Sequence, residues 1–272
     1  MNVKMYDLDM NEIQLPGKIS WLKFKPLPQL YEYVKERVGG RDVIVSKNKL
    51  PRDIEAEFLC DSEGSMYYKL MRDEIYALFS QYPEFYVIDW AVSARRWKVH
   101  VEDYAVNREN HSIARVELPL RTTDPYCTSK GTTLDEFTYD AELWGYGMGL
   151  KYDSSTQDYI HNTSSFMIYN AGNQEVDPRE SELIITLTSS TATADGLTIR
   201  NDTTNEEWQY NGVLNAGDQI ILDGIKANKN VVNIVSDTEL DVISLAPGEN
   251  QIQITGITGA FEISFEFRFL YA

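Results

Sequence analysis

Residues 65–81 read "SMYYKLMRDEIYALFSQ", the clearest helical signal in the chain. Tyr67, Leu70, Met71, Ile75, Leu78 and Phe79 recur at three- and four-residue spacing, while Lys69, Arg72, Asp73 and Glu74 take much of the remaining surface. That pattern predicts an amphipathic helix with one buried face. Asp61, Ser62 or Ser65 can cap its start, and Pro83 ends it because proline lacks the amide hydrogen and clashes with the preceding turn. On either side the period changes from helical to two. "DIEAEFLC" precedes the helix, and "EFYVIDW", "RWKVHVEDYAV" and "IARVELPLRT" follow it, each alternating branched or aromatic residues with polar ones. A single helix among such runs covers the open face of a small sheet or one end of a sandwich, so the expected fold is mainly β.

Working outward, "ERVGGRDVIVSKNKLP", residues 36–51, interrupts the alternation. Gly39 and Gly40 permit a sharp reversal and the polar residues Ser46 to Lys49 suggest a projecting loop or hairpin arm. "TTDPYCTSKGTTLDEF", residues 122–137, brings together Pro125, Gly131, several threonines and other polar residues and is read as a boundary between domains at 1–130 and 131–272. Beyond it about eight short strand-like runs follow, from "SSFMIYNAG" through "SELIITLTSS" and "DQIILDG" to "AFEISFEFRFLY", separated by glycine, asparagine and aspartate turns. They predict an antiparallel β-sandwich.

The 272 residues are 43% hydrophobic and 25% charged, a globular composition. No run approaches the eighteen apolar residues of a membrane span, and "MNVKMYDLDMNEIQ" has no signal-peptide core. Cys60 and Cys127 are too few for a disulfide scaffold or a zinc cluster and are expected to be reduced and partly buried. The formal net charge of −17 opposes a polyanion at long range. It is unevenly spread: residues 1–130 hold 19 Lys and Arg against 20 Asp and Glu, whereas residues 131–272 hold 6 against 22. Against that background Arg95 and Arg96, beside Trp97 in "SARRWKVHVEDYAV", read as part of a strand rather than as phosphate contacts. Alternation predicts Trp97, Val99 and Val101 on the buried face, with Arg96, Lys98 and His100 opposite.

Signals of catalysis are weak. His100, His111 and His161 sit in no metal-ligand spacing, and neither a phosphate loop nor a Rossmann glycine pattern occurs. The acidic clusters Asp135 with Glu136, Glu206 with Glu207, and Asp237 with Glu239 and Asp241 read as charged surface, since glycosidase chemistry depends on a spatial separation that clustering in sequence does not supply. No catalytic residue, cofactor or metal is expected. Trp208 and Tyr210 in "EEWQYNG" either pack in the core or stack on a glycan, and Trp144 with Tyr146 has the same two readings.

The order of "GGRDVIVSKNKLPRDIEAEF", the helix, "FYVID", "RRWKVHVEDYAV" and "ARVELPLRTTDPY", followed by "FMIYNAG", "ELIITLTSS", "GLTIRNDTT", "GDQIILDG", "SLAPGENQIQITG" and "FEISFEFRFLY", resembles the distal tail proteins of siphophages over nearly the whole chain. The resemblance implies an amino-terminal β-sandwich-like hub domain that assembles into a homo-hexameric ring, and a galectin-like or carbohydrate-binding-module-like sandwich after it. It also implies a structural part of the virion tail at its distal end, between the tail tube and the tip or baseplate, made in the bacterial host cytoplasm. Expected neighbours are the major tail tube protein, the tape measure protein, a tail-associated fibre or lysin and a receptor-binding protein, with no sequence-specific nucleic acid and no membrane. Arg41, Lys47, Lys49, Arg95 and Arg96 are the expected subunit-interface residues. The alternative is a carbohydrate-binding module or adhesin contacting host-wall glycans through Trp208 and Tyr210.

Overall fold

The computed structural model describes residues 2–61, 65–138, 142–151, 158–193 and 196–272. The chain is mainly β with one long α-helix, and it divides into two compact units, residues 1–128 with Ala272 and residues 129–271.

In the first unit the strands are β1 (Val3–Tyr6), β2 (Lys18–Pro26), β3 (Tyr31–Val38), β4 (Arg41–Lys49), β5 (Asp53–Asp61), β6 (Phe85–Asp89), β7 (Arg95–Val101), β8 (Ala105–Arg108) and β9 (Ile113–Thr122), with the helix α1 (Ser65–Gln81) between β5 and β6. The sheet runs β1-β6-β7-β9-β5-β2, and β8 also pairs with β9. Alternation has its expected effect in β5 and β9. Ile54, Ala56, Phe58 and Cys60 of β5, and Ala114, Val116, Leu118 and Leu120 of β9, point into one core, which Met71, Ile75 and Phe79 of α1 join. Neither cysteine is in a disulfide and both are buried, and burial pushes Cys60 up to about 12 and Cys127 up to about 11.

Three local expectations change. The buried stripe of α1 runs through Met71, Ile75 and Phe79, with Tyr68 and Leu78 packed beside them, whereas Tyr67 and Leu70 are each 57% exposed. Tyr68 is drawn in because its hydroxyl donates to the Val106 carbonyl at 3.1 Å. Of the cap candidates, Ser62 and the side chain of Ser65 lie outside the described residues. The run "RWKVHVEDYAV" is two strands: β7 pairs with β9 at Thr122 to Leu120, β8 at Glu117 to Ala114, and the chain breaks between them. The break lets Tyr104 lie edge-on to Phe79 and Tyr76, with ring centroids 5.3 and 5.7 Å away. Finally, Arg96 is buried rather than on the exposed side of β7, while Trp97 and Val101 are only half-buried. Its guanidinium lies 4.0 Å from the Tyr86 ring, an aromatic contact that a strand period does not encode.

Strand β10 (Cys127–Ser129) occupies the part of the chain where the units divide. The second unit holds β11 (Ile160–His161), β12 (Ser165–Asn170), β13 (Leu183–Ser189), β14 (Leu197–Asn201), β15 (Glu206–Tyr210), β16 (Gln219–Asp223), β17 (Lys226–Lys229), β18 (Val232–Asn233), β19 (Gly248–Thr255), β20 (Phe261–Phe267) and β21 (Leu270–Tyr271). One sheet runs β11-β20-β13-β16-β17-β18 and the other β12-β19-β14-β15, with neighbours antiparallel. Phe261, Ile263, Phe265 and Phe267 line the inner side of β20, Ile185 and Leu187 that of β13, and Ile199 and Ile254 answer from the other sheet. Each such side chain contributes about 1.5–3 kcal/mol on burial. Asn201 and Asn250 are buried in the same sandwich. Asn250 Nδ2 donates to the Ala246 carbonyl at 2.8 Å, and its Oδ1 accepts from Ala246 N at 2.9 Å and from Asn201 Nδ2 at 3.1 Å.

Candidate functional site

The first unit carries a two-stranded arm. β3 and β4 pair with each other from Tyr31–Lys49 to Val38–Arg41 and, among the described residues, belong to no other sheet. Gly39 and Gly40, with φ of 58° and 83°, make the two-residue reversal, the left-handed geometry that hairpin twist demands. Nothing lies within 4 Å of where a Cβ would sit on either glycine, so the tip stands in open space. Every residue of β3 and β4 except Ser46 is exposed. That includes Tyr33, Val34, Val38, Val43, Ile44 and Val45, an array of large apolar side chains on strands that would normally bury half of them.

The sequence-derived interface residues fall in two places. Arg41 lies at the tip of the arm and Lys47 on its flank, where the Lys47 ammonium sits 3.7 Å from the Tyr31 ring centre. Neither is within 4.0 Å of a carboxylate among the described residues. Lys49 is at the root, bonded to the Tyr126 hydroxyl and lying over its ring. The root is tied further by Leu50 N donating to the Leu30 carbonyl at 3.1 Å and by the Arg52 guanidinium donating to Gln29 Oε1 at 3.1 Å. Arg95 and Arg96 lie on β7, away from the arm's strands in the chain, and Arg96 Nε reaches Thr128 Oγ1 at 3.4 Å. The basic residues were therefore visible in sequence. The apolar ones were not singled out, although Tyr31 to Lys49 with Gly-Gly at its centre already has the symmetry of a hairpin.

In the second unit Trp208 and Tyr210 are each 3% exposed and face the interior of the sandwich. Trp144 is also buried, stacked on Phe137 with centroids 4.5 Å apart, whereas Tyr146 is fully exposed. His161 stacks on Phe166 at 4.1 Å, and burial lowers its affinity for a proton. Trp208 does line a cavity of about 600 Å³. Leu183, Ile185, Leu222, Ala227 and Ile243 form the rest of its apolar floor, and Glu206, Glu207, Glu239 and Asp241 stand among its polar walls. Among the described residues no group of three or more His, Cys, Asp or Glu is placed to hold a metal ion, and no helix is long and apolar enough to cross a membrane.

Residues 23–122 match the family model described as the phage tail protein RIFT-related domain. Among curated proteins no match is found. Among solved structures the chain is similar to the SPP1 Dit (gp 19.1) protein, described as a paradigm of the hub adsorption apparatus in phages that infect Gram-positive bacteria. That likeness has a TM-score of 0.70 at 13% identity and covers 99% of this chain and 100% of that one. Chains of the phage p2 baseplate, in its activated conformation with Sr or Ca, align at TM-scores of 0.45 and 9% identity, covering 98% and 97% of this chain and 97% of each of theirs. The resemblance read from the ordered segments is thus borne out twice, by a tail-protein domain inside the first unit and by a shared fold along the full length.

Proposed function

We propose that this protein is a distal tail hub component: a structural subunit at the distal end of a siphophage tail that joins the tail tube to the tip or baseplate. The observation that carries the reading is the end-to-end likeness to SPP1 Dit, together with the tail-protein domain at residues 23–122. The arm supports it from the physical side. An isolated two-stranded hairpin is marginally stable in water, and one that exposes Val34, Val38, Val43, Ile44 and Val45 gains most by being covered.

In this reading the first unit closes into a six-membered ring, and the arm crosses to a neighbouring copy with Arg41 and Lys47 setting its register. Arg95 and Arg96 act nearer the body of the unit. The ring would bind the major tail tube protein on one side, with the tape measure protein and a fibre, lysin or receptor-binding protein completing the surroundings. Extended complementary surfaces do this work, and no reacting group is required. Wall-glycan binding finds less support, because Trp208 and Tyr210 offer no exposed ring face for stacking.

Native mass spectrometry with negative-stain imaging tests the reading. The full chain should form a closed ring at micromolar concentration. A variant shortened by residues 36–43 should fold but remain monomeric. A ring that survives this deletion would remove the arm from the assembly, and a chain that stays monomeric while binding a wall polysaccharide would overturn the hub reading.

A further inference from the structure

We propose that the cavity of the second unit is a docking site for a partner polypeptide segment that presents a large apolar side chain flanked by lysine or arginine. The floor suits such an anchor. Leu183, Ile185, Leu222, Ala227, Ile243 and Trp208 are apolar and buried, and the volume of about 600 Å³ holds one or two large side chains. Two aliphatic residues of the lining remain in solvent, Ile225 at 71% exposure and Leu240 at 84%. Large exposed aliphatics around a concave apolar floor are the signature of a surface that becomes buried by a partner.

Charge selects the partner's sign. Leu240 sits between Glu239 and Asp241, and among the described residues neither carboxylate has a cation within 4.0 Å. Apart from Lys226, the other polar side chains of the cavity are already engaged inside the unit. Glu207 faces Arg200 at 3.3 Å, Arg179 is held by Asp177 at 2.8 Å, and Glu206 Oε2 accepts from Ser244 N at 2.7 Å and Thr204 Oγ1 at 3.0 Å. A saccharide would need those groups for its hydroxyls, whereas a basic segment needs only the two unpaired carboxylates. Lys226 is the opposing cation of the lining. The surrounding sequence, with 22 acidic residues against 6 basic ones over 131–272, adds a long-range field of the same sign as Glu239 and Asp241. The aliphatic anchor would supply most of the affinity, and the carboxylates the preference and the rate of encounter.

The inference concerns the second unit and does not depend on ring formation. It is tested on the full chain by calorimetric titration with two matched peptides, one with a Lys-Leu-Lys centre and one with Glu-Leu-Glu. The basic peptide should bind at least about tenfold tighter at low salt, with the preference shrinking towards about 0.5 M salt as the charges are screened. Glu239→Gln with Asp241→Asn should abolish the preference. Ile225→Ala with Leu240→Ala, at exposed positions that leave the core intact, should weaken the basic peptide by about tenfold or more. Equal binding of the two peptides, binding of neither, or affinities unmoved by both variant pairs would overturn the proposal. So would a neutral wall oligosaccharide whose binding depends on the same residues and excludes the peptide. Native mass of both variant pairs should match the parent, which separates this outcome from any failure of the hub reading.

Discussion

Strand β13, "LIITLTS", and strand β4, "RDVIVSKNK", both carry branched apolar residues in an extended chain, and the first buries every second side chain while the second buries none. β13 lies between β16 and β20 and faces a second sheet across the sandwich, so alternation is converted into packing. Among the described residues β4 has β3 on one side and no strand on the other, and Val43, Ile44 and Val45 are left exposed. The difference teaches that strand pattern specifies which side chains can share a face, and neighbours decide whether that face becomes an interior. On β13 the neighbour is in the same unit; on the arm it is supplied, in the hub reading, by another subunit.

The comparison can be broken most directly by truncation. Phe265→Ala, at a position with no exposure opposite Ile185, should cost about 3–5 kcal/mol in urea unfolding. Ile44→Ser on the arm should change monomer stability by no more than about 0.5 kcal/mol while reducing oligomer formation. Equal effects would mean that the arm is packed after all. A smaller contrast lies in the asparagines. Asn250→Ala strips partners from the Ala246 amide and from Asn201 and should cost roughly 1–3 kcal/mol. Asn48→Ala, on the exposed arm where the side-chain Oδ1 accepts from Ser46 Oγ at 2.8 Å, should fall within about 0.5 kcal/mol of the parent in the same assay.

Acid titration sharpens the same point for the second unit. Asp218 accepts from Asn215 N at 2.8 Å and Asn230 Nδ2 at 2.6 Å, with Lys229 3.4 Å away, and is held down to about 2. A carboxylate depressed on folding contributes its stability above its ordinary pKa of about 4 and loses it as pH falls through the folded value. Asp218→Asn should therefore flatten the decline in stability between about pH 4 and pH 2, measured by thermal melts across that range; an unchanged slope would remove Asp218 as its source. The smallest effect concerns turns. The arm reverses through Gly39 and Gly40, while the β17–β18 hairpin reverses through Asn230 and Val231 at φ of 47° and 73°. Val231 is 96% exposed, so Val231→Gly relieves backbone strain without losing packing and should stabilise the unit by up to about 1 kcal/mol despite the added freedom of the unfolded chain. A loss of stability on calorimetric melting would contradict this.

Much of the fold was legible because its signals are local. The helix runs from Ser65 to Gln81 as its period predicts, and "IARVELPLRT" becomes β9 residue for residue. What escaped depends on contacts distant in sequence. Tyr67 and Leu70 have helical spacing suited to burial, but the stripe is set by what the sheet offers, and Tyr68 finds Val106 instead. Arg96 is placed by Tyr86 and Thr128, neither of which its own neighbours in the strand reveal. For Trp208 the sequence left core and glycan platform open, and only the facing strands put its ring inside.

By itself the sequence determined the class of the protein: strands at period two, one amphipathic helix, a Gly-Gly reversal, a charge balance unequal between the halves, and an order of segments resembling siphophage distal tail proteins. Tertiary structure decided which alternating faces are interior and which remain open, isolating the arm and leaving a cavity with Leu240 between two carboxylates that have no cation partner among the described residues. The physical reason is that secondary structure follows from steric and hydrogen-bonding preferences within a few residues, whereas burial is a property of pairs of surfaces brought together from far along the chain.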